Sequence, residues 1–79
     1  MTKDEIFTIL KQEIMSILPV SESDIKPEKK LADIGANSID RAEIVINCSK
    51  KLNVKISPSE LADVKNIGDL WEALSKASN

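Results

Sequence analysis

The chain offers few residues able to do chemistry, and their types narrow the options. It has no histidine, so neither a Ser–His nor a Cys–His pair can activate a nucleophile. The commonest zinc ligand is also missing, and no metal site is expected. The single cysteine, Cys48, cannot close an internal disulfide or join a thiolate cluster, which suits a reducing compartment. It falls in mid-helix near an apolar face, where a thiol behaves as a small buried hydrophobe. The acids are scattered over a polar surface, and a chain of 79 residues leaves little room for a substrate pocket of about 300 Å³. One segment stands apart: Gly35-Ala36-Asn37-Ser38-Ile39-Asp40. Its serine ends a long polar loop and begins a helix, where free N–H groups and the helix dipole favour a phosphate ester. Serine and asparagine also stand at helix starts simply to cap them, so position alone leaves capping and modification both open.

The elements that must position Ser38 follow from hydrophobic periodicity. Ile6, Ile9, Leu10, Ile14, Ile17 and Leu18 recur at helical spacing, giving a first helix from about Thr2 to Leu18. Thr2 and Glu5 stand in capping-box register and Pro19 stops the helix. Residues 19–37 read as a long connection without a strong periodic element, anchored by Ile25, Leu31 and Ile34 and ended by Gly35. Loops of that length in small domains are commonly functional or tied down. A second helix runs from Ser38 to about Leu52, capped by Asn37 or Ser38. It carries Asp40 in its first turn and Lys50 and Lys51 in its last, as the dipole prefers. Its apolar face reads through Ile39, Ala42, Val45, Ile46, Cys48 and Leu52, with Ile44 beside it. Leu52 to Ser57 alternates like a short strand. Ser57 caps a short third helix from Pro58 to about Asp63. Asn66 caps a fourth from Ile67 to about Ala77, with Ile67, Leu70, Trp71 and Leu74 inward. The expected fold is all-α: one domain over residues 1–79, a small four-helix bundle of three longer helices and one short third helix, with a long loop between helices 1 and 2.

Composition removes several function classes. Hydrophobic residues make up 42% and charged residues 30%, globular values that argue against disorder. A net charge of −2 and 3% aromatic residues provide neither the basic patch nor the stacking platforms that nucleic acid needs. The longest apolar run is Ile44-Val45-Ile46, far short of a membrane span. The start MTKDEIF lacks the basic flank of a signal peptide. The expectation is a cytoplasmic monomer with neither nucleic acid nor membrane as partner.

Leu31-Ala32-Asp33-Ile34-Gly35-Ala36-Asn37-Ser38-Ile39-Asp40-Arg41-Ala42-Glu43-Ile44-Val45 resembles the attachment motif of acyl carrier proteins, roughly L-x-D-L-G-x-D-S-L-D-x-x-E-L-V. Val54-Lys55-Ile56-Ser57-Pro58-Ser59-Glu60 resembles the I-P-x-E segment before that family's short third helix. Val64-Lys65-Asn66-Ile67-Gly68-Asp69-Leu70 resembles the T-V-x-D-L start of its fourth. The three stretches occur in the family's order and cover nearly the whole chain. The resemblance implies a carrier, not an enzyme. Ser38 would bear 4′-phosphopantetheine, moved from coenzyme A by a phosphopantetheinyl transferase, and acyl groups would ride on the arm's thiol as thioesters. The resemblance also implies that partners dock on the second helix through Asn37, Ile39, Asp40, Arg41, Glu43 and Ile46, while Ile44, Val45 and Leu52 turn inward.

The chain departs from the family pattern at Asn37, usually aspartate, and at Ile39, usually leucine. Its second helix carries three cations (Arg41, Lys50, Lys51) against two anions (Asp40, Glu43), where fatty-acid carriers are strongly acidic. The string from Gly35 to Val45 is more similar to discrete carriers of polyketide pathways, and within them to donor carriers of β-branching cassettes. That resemblance implies malonyl and acetyl as cargo. It implies an acyltransferase, a decarboxylating ketosynthase-like enzyme and an HMG-CoA-synthase-like enzyme as further partners. A fatty-acid, aminoacyl or peptidyl carrier, and an unmodified helical interaction module, stay open as alternatives.

Overall fold

The computed structural model describes residues 1–78; Asn79, the last residue of the expected domain, lies outside the described residues. Four helices follow one another: α1 (Lys3–Ile17), α2 (Ser38–Leu52), α3 (Pro58–Ala62) and α4 (Ile67–Ala77). This is the all-α arrangement that the periodicity predicts. No strand occurs among the described residues, which corrects the strand-like reading of Leu52 to Ser57. The alternation survives there only in burial. Val54 and Ile56 are half-buried while Asn53, Lys55 and Ser57 are exposed, but a single extended segment has no partner strand to pair with.

α1 starts where two reciprocal bonds close its first turn. Thr2 Oγ1 accepts the Glu5 N–H at 3.1 Å, and Glu5 Oε1 accepts the Thr2 N–H at 2.8 Å. The Thr2 N–H holds the Glu5 carboxyl below its ordinary value. Ile6, Leu10 and Ile14 form a buried stripe with Leu18 after it, and α1 packs through it on α2 and α4. Each such side chain contributes about 1.5–3 kcal/mol when fully buried. Glu13 shares the buried side at 6% exposure, and its Oε1 pairs with Lys51 Nζ of α2 at 3.1 Å. Periodicity does not reveal this cross-helix link, because an acid beside an apolar stripe reads as a solvated one.

The 19–37 connection is more structured than its sequence suggests. Short 3₁₀ turns form at Glu22–Asp24 and Leu31–Ile34. Ile25 and Leu31 are buried as expected and Ala36 joins them, whereas Ile34 is only half-buried. Gly35 takes a left-handed φ of +97°, which lets the Ala36 N–H reach back to Leu31 O at 3.1 Å. The strongest ties are backbone ones. Ile67 N–H donates to Lys29 O and Gly68 N–H to Pro27 O, both at 2.8 Å, satisfying first-turn groups that α4 cannot pair itself. A Cβ on Gly68 would lie 3.0 Å from Pro27 O, so glycine permits the close approach.

α2 corrects the apolar face drawn through Ile39, Ala42 and Ile46. Ile44 and Cys48, one turn apart, are fully buried, while Ile39 is 78% and Ile46 52% exposed. Ala42 is exposed, and Val45 and Leu52 are half-buried. Three consecutive apolar residues hide the helix phase, because each turns about 100° from the last. Contact with α1 selects Ile44 from the three. Trp71 is also corrected: it is half-buried at the α1–α4 edge. Its ring centroid lies 4.5 Å from that of Phe7, and its Nε1–H donates to Lys3 O at 2.8 Å, the partner an indole N–H requires.

Cys48 is a core residue, as its position predicts. Burial, and after it the Glu13 charge, pushes its thiol from about 9.0 up to about 12. The folded protein should therefore resist iodoacetamide at about pH 8 and react only on unfolding; rapid labelling of folded protein contradicts this. Between about 9.0 and about 12 the folded thiol keeps a proton that the unfolded one loses. Its contribution to stability is thus intact below that window and falls as pH rises through it.

Candidate functional site

Ser38 is the first residue of α2, and Asn37 is its cap. Asn37 Oδ1 accepts the Asp40 N–H at 2.8 Å, and Asp40 Oδ2 accepts the Asn37 N–H at 3.1 Å. The choice between Asn37 and Ser38 as cap is thereby decided, and the Ser38 hydroxyl is exposed and outside the capping bonds. Two amide N–H groups at this helix end are taken by the cap, and those of Ser38 and Ile39 remain for an anion. A 15-residue helix presents the positive end of its dipole there. The geometry fits a phosphodiester on Ser38: an accessible hydroxyl, open N–H groups and a favourable field.

The cap itself is testable. Asn37→Ala should cost about 1 kcal/mol and lower the thermal midpoint by about 4–8 °C in a domain of this size. Asn37→Asp, which keeps an acceptor, should stay close to wild type. An unchanged midpoint for Asn37→Ala in thermal circular dichroism contradicts the capping role.

The expected docking residues divide into three groups. Ile39, Glu43 and Ile46 share one exposed face of α2, at spacings of four and three residues. Arg41 and Asn37 are exposed beside them. Asp40 is half-buried with one oxygen in the cap, so its first role is to start the helix. The sequence signal for that role, Asn37 three residues before Asp40, is a capping box written with Asn and Asp.

The structure also corrects the expectation that the chain is too small for a pocket. A cleft of about 300 Å³ opens between α2 and α3, with Arg41, Ala42, Val45 and Ile46 on the α2 side. Leu61, Val64, Leu31 and Leu70 complete its walls. α3, with only five residues, contributes Leu61 alone to its wall, and Val45 stays half-buried. Arg41 and Ala42 lie one turn beyond Ser38, about 5 Å along the axis. Sequence reasoning missed the cleft; its only signal was the brevity of the third helix.

No group of three or more His, Cys, Asp or Glu able to hold a metal occurs among the described residues. No helix among them is long and apolar enough to cross a membrane. The chain has no histidine, so no imidazole stands beside Ser38 to deprotonate it.

Comparison with known proteins agrees with this geometry. A family model described as the phosphopantetheine attachment site matches residues 8–74. The polyketide biosynthesis acyl-carrier-protein AcpK of Bacillus subtilis (strain 168) is 43% identical over 75 residues, spanning 94% of this chain and 92% of that one. The acyl carrier protein of Thermotoga maritima is 32% identical over 76 residues, spanning 95% and 94%. Among solved structures, one described as the curacin biosynthetic pathway HMG synthase in complex with acetyl donor-ACP matches with a TM-score of 0.81 and 32% identity, over 100% of both chains. With an accessible serine at a helix start and a family model over most of its length, the chain belongs to the phosphopantetheine-bearing acyl carrier proteins, which carry rather than catalyse.

Proposed function

We propose that the chain is the donor carrier of a polyketide β-branching cassette, holding malonyl and then acetyl on a 4′-phosphopantetheine arm at Ser38 for an HMG-CoA-synthase-like enzyme. The observation that carries the reading is the exposed Ser38 hydroxyl, released from capping by Asn37 at the head of α2. Likeness to the acetyl donor-ACP seen with an HMG synthase supports the donor role, and likeness to AcpK supports the polyketide setting. The arm supplies a terminal thiol on which cargo rides as a thioester.

The chain's own residues bind and present. In the transferase reaction Ser38 Oγ forms the bond to phosphorus, its proton goes to the transferase, and the adenosine bisphosphate half of coenzyme A leaves. With the arm attached, the Ser38 and Ile39 N–H groups and the α2 dipole would stabilise the phosphodiester charge. Ile39 and Ile46 form a small exposed apolar contact, with Glu43 and Arg41 setting both signs of charge at its rim. Such a patch suits brief docking. Its near-neutral balance discriminates against partners that read an acidic stripe. The monomer works in the cytoplasm with the transferase, an acyltransferase, a decarboxylating ketosynthase-like enzyme and the HMG-CoA-synthase-like enzyme.

The test is acceptance of cargo. Acetyl-loaded protein should lose its acetyl group to a β-ketoacyl acceptor when a β-branching HMG-CoA-synthase-like enzyme is added, as read by intact mass. Refusal by that enzyme together with efficient use by a fatty-acid synthase set contradicts the donor reading and favours a fatty-acid carrier.

A further inference from the structure

Beside the apolar cleft lies a second hollow of about 270 Å³ whose polar lining is Lys30, Arg41, Lys65 and Asn66. The two hollows share Leu31, Arg41 and Val64 in their walls, so they adjoin, and together they make a recess whose cationic residues all line the second hollow. No carboxylate lines the cationic part. The acids of the same turns bond to backbone rather than to the cationic groups: Asp33 accepts the Lys30 N–H and Asp69 that of Lys65, each at 3.0 Å. None of the three cations is ion-paired among the described residues. They come from three parts of the chain: the long connection, α2 and the α3–α4 link. Three cationic residues lining one hollow with no acid among them favour an anion there.

We propose that this recess receives the free carboxylate of a dicarboxylic, malonyl-type acyl group carried on the arm. The proposal rests on the proposed function, in which Ser38 is the attachment residue and malonyl the first cargo. Arg41 stands one turn beyond Ser38 on α2, so the cargo reaches it when the arm folds back along the α2–α3 side. The planar guanidinium matches a carboxylate by two parallel bonds, and Lys30 and Lys65 add point charges. Leu31 and Val64 face the acyl methylene. Acetyl has no carboxylate to hold. When a partner removes carbon dioxide from the malonyl thioester and a proton takes its place, the cargo therefore loses its grip on the recess. The carrier thus shelters cargo before decarboxylation and presents it afterwards. The same cations could instead meet the arm's own phosphodiester, the other anion within reach.

The experiment compares the phosphopantetheinylated protein bearing a free thiol, acetyl, or malonyl isotope-labelled at its free carboxyl, each loading confirmed by intact mass. Backbone amide NMR reads residues 30–32, 41 and 64–66, and the labelled carboxyl is titrated. Malonyl alone should shift those amides, and its carboxyl should titrate about 0.5–1 pH unit below that of malonyl-pantetheine free in solution. Lys30→Gln/Lys65→Gln, which leaves α2 untouched, and Arg41→Gln should each return it toward the free value. Equal amide shifts in all three forms would assign the recess to the phosphodiester and overturn the proposal. So would a malonyl carboxyl that titrates as it does in free solution. A chain that takes no arm overturns the attachment reading as well, whereas a loaded chain with a silent recess overturns this inference alone.

Discussion

Ser38→Ala protein, incubated with coenzyme A and a broad phosphopantetheinyl transferase, is expected to keep its unmodified mass while wild-type protein gains one arm. The loss should be complete, because among the described residues no other serine combines exposure with the head of a long helix. Ser57 also precedes a helix, but that helix has five residues, and its Oγ accepts the Glu60 N–H at 3.2 Å. Stability should change by less than about 0.5 kcal/mol, as for surface positions without a special contact, since Asn37 rather than Ser38 carries the cap. A Ser38→Ala protein that still gains the mass removes Ser38 from the site.

The second large effect separates the two faces of α2. Ile44 is fully buried, and Ile44→Ala should cost about 2–5 kcal/mol. A chain of this size has only about 4–12 kcal/mol in all, so urea unfolding should shift far toward lower concentration. Ile39, 78% exposed, should behave in the opposite way. Ile39→Ala should leave unfolding within about 0.5 kcal/mol of wild type yet slow acyl transfer to a partner enzyme by roughly tenfold, the effect of losing one interface anchor. If Ile39→Ala destabilises and Ile44→Ala does not, the helix phase described above is wrong.

The parts of this protein legible in its sequence are those where one local rule decides. Thr2 with Glu5, Pro19, Ser57-Pro58 and Asn66 each mark a helix end through their own backbone chemistry, and the structure has helix ends there. The stripe of α1 is legible through Ile6, Leu10, Ile14 and Leu18, which recur every four residues and are buried, while Ile9 and Ile17, read into the same stripe, are only half-buried. α2 is ambiguous because Ile44, Val45 and Ile46 stand together, and only packing against α1 chooses among them. The ties at Pro27 and Lys29 were out of reach, because they join backbone groups distant in sequence and any side chain could precede them. The Glu13–Lys51 pair was hidden for a related reason: a charged residue beside an apolar stripe reads as solvated until the partner helix is placed. Ser38 itself was legible only in company. Its position alone favours a cap over an attachment point, and only the surrounding motif reverses that. The structure then added what neither gave, the release of its hydroxyl by the Asn37–Asp40 box and the cleft one turn below it.

The most direct measurement is the location of the arm. Cleavage after Lys30 and Arg41 yields the peptide Leu31-Ala32-Asp33-Ile34-Gly35-Ala36-Asn37-Ser38-Ile39-Asp40-Arg41, in which Ser38 is the only hydroxyl. After reaction of the wild-type protein with coenzyme A and a transferase, mass spectrometry of the digest should find one phosphopantetheine, on this peptide and nowhere else. A protein that several transferases leave unmodified, or an arm found on any other peptide, contradicts the account.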